Sequence, residues 1–284
     1  MSRVLIAGCG YVGAATSRLF QAAGWTVEGW TRRGEPEIES GKTWQARAVD
    51  LGDGNQVHAT EGTFDVVIHS ASTRGGDVGA YRRVYLEGAR HLRARFGEAS
   101  FIFVSSSSVY AQRTGEWITE ESVAQPEHET GKVLREAEKV VLEHGGTIAR
   151  LSGLYGPGRS ALLQRLLRGE AVVDPSYDRF VNQLHRDDAA AALFLLATKG
   201  DAVREQIYNV SDDLPLRLSE CYRWLAETLH RSLPRTEEAP PMRKRGNSNK
   251  RVSNTKLRQV GWIPTFPSFM DGMGKSVLPE SGAL

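Results

Sequence analysis

The sequence predicts an α/β protein, in which helices cover both faces of a doubly wound parallel sheet and a small C-terminal lobe binds substrate. Short apolar segments alternate with helical patterns, and a glycine-rich turn joins the first strand to the first helix. Parallel strands are buried on both faces and therefore appear as continuous apolar runs. Their alternation with helices indicates a sheet with crossover connections.

The strand predictions rest on apolar segments at residues 3–7, 26–31, 65–69, 101–105 and 206–210. Alanine and leucine dominate the predicted helix at 187–197, which precedes the last of these strands. We expect residues 1–157 to form a nucleotide-binding domain, to which residues 181–212 return. Residues 158–180 and 213–284 would then form the small lobe over the carboxyl edge of the sheet, the usual place for a substrate cleft.

Composition excludes several classes of function. The 284 residues are 40% hydrophobic and 25% charged with a formal net charge of +2, so neither nucleic acid nor a membrane surface is an expected partner. The two cysteines, Cys9 and Cys221, have no metal-ligand spacing and cannot form a disulfide framework, which fits a reducing compartment. Without metal-ligand spacing, the sequence predicts no metal site. The N-terminus has no signal-peptide pattern, so the sequence predicts a cytoplasmic protein.

The glycine turn follows the first strand directly and has the G-x-G-x-x-G spacing of Gly8, Gly10 and Gly13. Such a turn lets the backbone approach a pyrophosphate, and the helix that follows offers free N–H groups and a positive dipole end. We therefore predict a dinucleotide site that includes the intervening Tyr11 and Val12. The alternative is a glycine turn that closes an α/β unit without a ligand.

The end of the second strand indicates which dinucleotide binds. Thr31, Arg32 and Arg33 occupy the position where a carboxylate would bind the ribose 2′-OH of NAD. Arginine can instead form charge-assisted hydrogen bonds with a 2′-phosphate. The sequence therefore favours NADP, although NAD stays possible if Glu28 reaches the ribose or if both arginines are merely solvated.

Further cofactor contacts are predicted at the carboxyl ends of other strands, where such sheets bind their ligands. Asp50 and Leu51 follow one predicted strand, and Ser70 and Ala71 follow another. We expect these residues to line the adenine and ribose pockets.

His128 and Lys132 lie four residues apart at the start of a predicted helix whose first turn would contain Pro126. Residues with this spacing share one helix face, so both side chains can point into a cleft and share a proton. The alternative for an isolated pair of this kind is a solvated surface.

Several segments together resemble the extended branch of the short-chain dehydrogenase/reductase superfamily, with its NAD(P)-dependent epimerases and dehydratases, in an atypical form. The resemblance spans nearly the whole chain and rests on residues 8–13, 50–51, 105–110, 131–132, 150–158 and 184–190. It implies a Rossmann-type fold, with Ser106 as the catalytic serine and Lys132 as the lysine that binds the nicotinamide ribose. It also implies that Leu154 lies beside the nicotinamide.

The chain departs from the family at its proton-transfer site. His128 stands in place of the catalytic tyrosine, and Tyr85 stands where an asparagine is frequent. Histidine titrates near neutrality and could transfer the proton itself, or it could simply cap the helix of a protein without catalytic activity. Tyr85 and Tyr110 are further candidates for the missing hydroxyl.

The carboxyl half contains two clusters that could carry chemistry. His185, Asp187 and Asp188 could form a catalytic group, but the resemblance implies a structural role. Basic residues at 243–245 and 250–251 could clamp a diphosphate. The glycine and asparagines between them favour a solvated loop.

Two functions are therefore considered. The first is an NAD(P)-dependent oxidoreductase, epimerase or dehydratase that acts on a hydroxyl or keto group of a small molecule such as a nucleotide sugar. The second is a non-catalytic dinucleotide-binding module, such as a redox sensor. A homodimer is compatible with either.

Overall fold

The computed structural model of the protein describes residues 1–34, 43–73, 75–237 and 248–282. The chain forms two compact units, each assembled from separate segments. Unit 1 consists of Met1–Val109, Ala124–Arg150 and Ala189–Tyr208, and unit 2 consists of Tyr110–Val123, Leu151–Asp188 and Asn209–Leu284.

The strands are β1 Arg3–Ala7, β2 Thr26–Thr31, β3 Trp44–Ala48, β4 Val66–His69, β5 Ser100–Ser106, β6 Trp117–Ile118, β7 Thr147–Leu151, β8 Gly153–Tyr155, β9 Val172–Val173, β10 Phe180–Val181, β11 Gln183–His185, β12 Ile207–Val210, β13 Leu216–Arg217, β14 Arg235–Thr236 and β15 Arg251–Val252. The α-helices are α1 Tyr11–Ala22, α2 Gly54–His58, α3 Val78–Tyr81, α4 Gly88–Arg95, α5 Glu129–Glu143, α6 Ala161–Leu167, α7 Arg186–Lys199, α8 Leu218–Thr228, α9 Thr255–Gln259, α10 Phe269–Gly272 and α11 Leu278–Ser281. π-Helical turns at Arg82–Glu87 and Met273–Val277 continue α3 into α4 and α10 into α11.

Seven parallel strands form the central sheet in the order β12-β7-β5-β4-β1-β2-β3, which confirms the predicted fold class. Successive strands lie on one side of β1 as far as β3, and the chain then crosses to β4 on the other side. The register places Ala7 beside both Trp30 and His69. The carboxyl ends of β1, β2 and β4 therefore meet at the point where the strand order reverses, which is where open α/β sheets bind ligands.

The core of unit 1 follows from the apolar strands that the sequence shows. Val4, Leu5 and Ile6 are fully buried in β1, and α1 contributes Phe20, whose ring packs edge-on against Trp25 and Phe194. Aromatic pairs in this geometry gain attraction beyond the area that they bury.

Strand β3 is the edge strand that the sequence did not predict. Gln45, Arg47 and their neighbours leave most of the strand exposed or half-buried, so it lacks the apolar run that marks the inner strands.

The helix that carries Lys132 also differs from the prediction, because it begins at Glu129 and not at Pro126. Pro126 instead packs on Gly131, where a Cβ would lie 2.5 Å from the Pro126 Cβ.

Unit 2 has its own core, to which Tyr155, Tyr222, Leu225, Phe269 and Met273 contribute. Short two-stranded pairs surround this core, namely β6 with β15, β8 with β11, β9 with β14 and β10 with β13. β6 pairs with β15, and β8 pairs with β11. These pairings explain why 110–123 and 151–157 pack in unit 2, whereas the sequence division grouped both segments with the nucleotide-binding domain.

Candidate functional site

The glycine turn between β1 and α1 packs tightly against the segment that follows β4. Gly8 has a φ of +104°, and a Cβ on it would lie 2.1 Å from the amide nitrogen of Ala71. A Cβ on Gly13 would lie 2.6 Å from the Gly8 carbonyl oxygen, and the Ser70 hydroxyl donates to the same oxygen at 3.0 Å. The structure thus brings together four residues that were predicted to contact the cofactor.

Gly10 differs from its neighbours because it borders open space. A Cβ on Gly10 would meet no atom within 4 Å in the part of the chain that the structure describes. Gly10 caps α1, whose first turn consists of Tyr11, Val12 and Gly13, and the amides of a first turn lack intrahelical acceptors. Open space before a helix N-terminus suits a pyrophosphate, so these residues fit a dinucleotide.

The end of β2 has an unsatisfied polar atom. The Thr31 hydroxyl oxygen is buried and has no hydrogen-bond partner among the described residues, while Arg32 and Arg33 are exposed beside it. The Thr31 carbonyl accepts from the Val49 amide at 2.9 Å, so the turn after β3 lies next to this strand end. A ribose or its phosphate could satisfy the hydroxyl.

Glu28 lies within β2, and only 3% of its surface is exposed. Its carboxylate accepts hydrogen bonds from Trp30 Nε1 and from Arg47 Nε, both at 2.8 Å. These contacts commit the carboxylate to side chains of β2 and β3.

Asp50 and Leu51 follow β3, and contacts within unit 1 fix both. The Asp50 carboxylate pairs with Arg83 at 3.2 Å and accepts from the Gly52 amide at 2.9 Å. Leu51 is buried, and its carbonyl accepts from Nδ1 of His91 at 2.8 Å. Arg83 is a neighbour of this turn that the sequence did not reveal.

The three predicted catalytic residues lie on β5 and α5, which pack against each other. Ser106 ends β5 and accepts from the Ser108 amide at 3.1 Å. His128 is the exposed N-cap of α5, and its side chain makes no capping hydrogen bond.

Lys132 is 53% exposed and donates to Glu129 at 2.5 Å. The Lys132 amide donates to the His128 carbonyl at 3.1 Å as part of the first turn of α5, but within the described parts of the chain no side-chain hydrogen bond or ion pair joins any two of Ser106, His128 and Lys132. Their convergence in one cleft therefore stays a prediction.

The two candidate tyrosines have different surroundings. Tyr85 lies on the π-helical turn, and its ring packs on Tyr81 and Phe103 with centroid distances of 4.9 and 6.3 Å. π-Helical turns occur frequently at functional sites. Tyr110 is 1% exposed and donates to Asn209 Oδ1 at 3.0 Å within unit 2. Tyr85 is 9% exposed, and a role for either tyrosine in proton transfer stays a prediction.

A buried ion pair joins α5 to the strands beside it. Glu138 is fully buried and accepts from Ser105 Oγ at 2.6 Å and from Arg150 Nη2 at 2.7 Å. Arg150 is 1% exposed, and Arg135 contacts the same carboxylate. Ser105 adjoins Ser106, so this network fixes the strand with the serine against the helix with the lysine.

Sequence reasoning missed this network, although two signals mark it. Arg150 interrupts the otherwise apolar strand β7, and Glu138 lies between Leu134 and Val141 on the buried stripe of α5. A charged residue at such a position is rarely buried without a partner.

His185 and its neighbours have a structural role in unit 2. Nδ1 of His185 accepts from the Asp187 amide at 3.2 Å, so Nε2 carries the proton and donates to Ser276 at 3.2 Å. Because Nε2 already carries a proton, it cannot act as a base toward the Ser276 hydroxyl. Burial lowers the pKa of His185 to about 4.

Asp188 fixes the turn that follows α9. Its carboxylate accepts from the amides of Thr265 and Phe266 at 2.7 and 3.0 Å, and its carbonyl accepts from Trp262 Nε1. Burial raises the pKa of Asp188, and these amides compensate for the lost hydration of the carboxylate.

Other predicted residues of the carboxyl half lie in unit 2. Leu154 lies on β8 opposite Leu184 of β11, and its contact with a nicotinamide stays a prediction. The basic residues 243–245 lie outside the described residues. Lys250 is 97% buried, with 3% of its surface exposed, and donates to the Tyr110 carbonyl at 2.9 Å. The solvated-loop interpretation is therefore wrong for Lys250.

Among the described residues, no helix is long and apolar enough to cross a membrane. The same part of the chain contains no group of histidine, cysteine, aspartate and glutamate side chains that could hold a metal ion.

A sequence model of the NAD dependent epimerase/dehydratase family matches residues 4–211, from β1 to the end of β12. The chain belongs to this family. The epimerase/dehydratase match covers the glycine turn, the strand end at Ser106 and the start of α5, and it identifies the protein as an NAD(P)-binding member of an oxidoreductase-type family.

Two named relatives match most of this chain. Protein YeeZ of Escherichia coli K12 is 28% identical over 225 residues, which cover 74% of this chain and 77% of YeeZ. A 3-diazoavenalumate denitrifying reductase of Streptomyces sp is 26% identical over 310 residues, which cover 96% of this chain and 99% of the reductase.

Solved structures show the same fold. A candidate NAD-dependent epimerase/dehydratase from Methylobacillus flagellatus superposes with a TM-score of 0.79 at 29% identity, over 97% of both chains. A UDP-glucose 4-epimerase from Thermotoga maritima, solved with UDP-glucose, gives a TM-score of 0.82 over 99% of both chains. At 17% identity, the Thermotoga maritima enzyme supports the fold of this chain and not its substrate.

Proposed function

We propose that the protein is an NADP-dependent enzyme that oxidises, reduces or epimerises a hydroxyl or keto group of a small molecule. The observation that carries the proposal is the glycine turn. Gly8 and Gly13 allow close packing of the backbone, whereas Gly10 borders open space in front of α1. A turn that merely closed an α/β unit would not require an open position at its centre.

NADP is proposed over NAD because of the end of β2. Arg32 and Arg33 are exposed there beside the unsatisfied Thr31 hydroxyl, and Glu28 is committed elsewhere. Tyr11, Val12 and Gly13 would hold the pyrophosphate, and Asp50, Leu51, Ser70 and Ala71 would line the adenosine. When bound, the nicotinamide supplies or accepts a hydride.

His128 is proposed as the proton-transfer residue and Ser106 as the residue that orients the substrate oxygen. An imidazole exchanges protons near neutral pH without a large pKa shift. His128 is exposed and its side chain does not cap α5, so the ring is available to a substrate. Lys132 is proposed to bind the nicotinamide ribose. To do so, its ammonium group would leave the Glu129 carboxylate and donate to the ribose hydroxyls.

A nucleotide sugar is the proposed substrate class. Support comes from structural relatives, among them the epimerase from Thermotoga maritima and a protein named MoeE5, solved with UDP-glucose and with UDP-glucuronic acid. Both are less than 25% identical to this chain, so their ligands supply a substrate class to test.

A second candidate function is reduction of an electrophile that needs no proton from the protein at the reacting atom. The observation in its favour is that position 128 lacks the tyrosine hydroxyl and that Lys132 is paired with Glu129. The Streptomyces relative is named as a reductase of a diazo compound. Such a site would need the cofactor and a substrate pocket but not His128.

Single-turnover absorbance at the reduced nicotinamide band tests both functions. The purified protein is mixed with NADPH or NADP and then with UDP-sugars, keto acceptors or aryl diazonium salts. Epimerases that regenerate their cofactor are assayed by sugar analysis as well. Turnover with a sugar nucleotide supports the first function and turnover with a diazonium salt the second. Tight NADPH binding with no turnover of any acceptor would favour the non-catalytic module.

A further inference from the structure

Two guanidinium groups and two aromatic rings stack on one another in unit 2, and we call Trp117, Phe180, Arg217 and Arg251 the Arg–aromatic stack. The Arg217 guanidinium carbon lies 4.6 Å from the centre of the Phe180 ring. The Arg251 guanidinium carbon lies 4.9 Å from the same ring and 5.1 Å from the Trp117 ring. Each distance falls within the range of cation–π attraction.

Strand pairing holds the stack in place. Arg251 of β15 is the register partner of Trp117 in β6, and Phe180 of β10 is the partner of Arg217 in β13. Cross-strand partners have neighbouring side chains. Arg251 Nε donates to the Gly115 carbonyl at 2.8 Å, so its guanidinium is fixed before any ligand arrives.

Trp117 leaves its ring open to solvent at the end of the stack. It is 52% exposed, although a tryptophan that served only the core would be buried. Tryptophan is enriched where proteins bind partners, because it offers a large flat apolar surface at little entropic cost. The exposed ring provides a stacking surface for a planar group.

The charge of the stack is not compensated by carboxylates. Within the described part of the chain, neither Arg217 nor Arg251 has a carboxylate within 4.0 Å, and their donors reach the carbonyls of Asp178 and Gly115. Arg82 of unit 1, by contrast, forms an ion pair with Glu136. The two guanidiniums therefore keep donors for an anion.

Charges of both signs lie near the stack. Lys250 adjoins Arg251, and burial with the charge of Arg179 lowers the Lys250 pKa to about 8. Glu116 acts on Lys250 and accepts from Thr114, Glu220 accepts from the Arg217 amide, and Asp178 accepts from Ser219. Among the described residues none of these three carboxylates forms an ion pair with Arg217 or Arg251, so both guanidiniums keep donors for an anion.

We propose that the Arg–aromatic stack is a binding site for a planar aromatic anion. The ring of the ligand would stack on Trp117, and its phosphate or carboxylate would accept hydrogen bonds from Arg217 and Arg251. Guanidinium groups bind both kinds of anion in a bidentate manner. The four residues lie within unit 2, and for a nucleotide ligand the inference rests on the proposed function, whereas an aromatic carboxylate would bind independently of it.

Titration calorimetry on the full chain tests the site, with UDP and 4-hydroxycinnamate as two aromatic anions and with uridine and inorganic phosphate as partial ligands. The titrations are repeated on Gly10→Val, in which the glycine turn should not bind a dinucleotide, so that binding at the turn is separated from binding at the stack. We expect one aromatic anion to bind with one site per chain and at least tenfold more tightly than uridine or phosphate. UDP would identify a nucleotide site, and hydroxycinnamate an aromatic carboxylate site.

Variants separate stacking and charge from general effects on folding. Trp117→Ala and Arg217→Ala should each weaken binding at least tenfold without a change in melting temperature. Tyr177→Ala and Arg168→Ala remove an exposed aromatic ring and an exposed arginine elsewhere in unit 2 and should leave binding unchanged. Unchanged binding in Trp117→Ala, equal loss in the control variants, or no binding of either aromatic anion would overturn the proposal.

Discussion

At the scale of single residues, neighbouring glycines in one turn have different reasons to be glycine. Gly8 has a positive φ and no room for a Cβ, since Ala71 lies against it. Gly10 has room for a Cβ, so packing within the chain does not explain the glycine there. The proposed pyrophosphate would explain it, because it needs the open space in front of α1.

Gly10→Val should therefore abolish dinucleotide binding and leave the melting temperature within a few degrees of wild type. Its side chain would enter open space, where the structure places no atom within 4 Å. Gly8→Ala is the contrasting variant, and it should also lower stability because of its φ and the Ala71 contact. Calorimetric titration with NADPH and thermal denaturation measure both effects. Normal NADPH binding by Gly10→Val would place the pyrophosphate elsewhere.

Arg32→Ala should remove most of the preference for NADPH over NADH. Loss of one charge-assisted contact is expected to cost on the order of 1.5 to 3 kcal/mol in NADPH binding, with NADH affinity unchanged. Arg90→Ala provides a matched control, because Arg90 is an exposed arginine of unit 1 that pairs with Glu87. Dissociation constants for both cofactors measure the effect, and equal wild-type affinities would refute the NADP assignment.

His128→Ala should reduce turnover roughly 10²- to 10⁴-fold, the usual loss for a general acid or base, while cofactor affinity stays the same. The side chain is exposed, so the fold should tolerate the change. His128→Tyr restores the hydroxyl of the family and should retain activity if the geometry suits it. Unchanged turnover in His128→Ala would favour either Tyr85 as proton donor or a reaction without one.

At the scale of elements, α5 shows how much the sequence could predict. The apolar spacing of Val133, Ala137, Val140 and Val141 predicts the helix and its buried face, and all of these except the half-buried Val140 are buried. The start of the helix was predicted wrongly, because Pro126 can precede a helix as well as begin one, and its packing on Gly131 is a contact that local sequence does not encode. Apolar runs predicted five of the strands, whereas the exposed edge strand β3 and the strand β7, which Arg150 interrupts, were not predicted.

The candidate site shows the same difference between features that local sequence encodes and contacts that only the tertiary fold creates. Residues of a turn or strand end, such as Gly8, Gly13 and Ser70, could be predicted as candidates because local spacing defines them. Contacts between distant segments were not found, because no motif links Glu138 to Arg150 or Trp117 to Arg251. The tertiary fold alone brings these pairs together.

Glu138→Ala should destabilise the protein by about 3 to 5 kcal/mol, because it leaves the buried Arg150 guanidinium without its carboxylate. Glu136→Ala is the matched control two residues earlier on the same helix. Glu136 forms an exposed pair with Arg82, in which both side chains are 49% exposed, and its loss should cost about 0 to 1 kcal/mol. Urea unfolding of both variants measures the difference, and similar midpoints would contradict the role of the buried pair.

At the scale of the whole molecule, acid should destabilise the fold through buried neutral histidine. Burial lowers the pKa of His69 from 6.5 to about 4, so the unfolded chain takes up a proton between these values and the folded chain does not. Stability therefore falls as pH drops through that window, by about 2 kcal/mol near pH 5 from His69 alone. Asp188 and Asp212 have raised pKa values and act in the opposite direction.

Urea midpoints measured across this pH window check the prediction, with His69→Gln as the comparison. The variant cannot titrate, so its stability should depend less on pH than that of the wild type, whatever its absolute stability. Parallel curves for the two proteins would show that His69 does not contribute.

The discontinuity of both units has a consequence for synthesis on the ribosome. Unit 1 is not complete until Tyr208 has emerged, because its last segment is Ala189–Tyr208. At cellular elongation rates the first 208 residues take on the order of 10 to 40 s to appear. During that time the nascent sheet has β1 to β5 in place while the outer strand β12 is absent, so the β7 side remains an open edge. A chaperone that covers exposed strand edges would have its longest opportunity to act there.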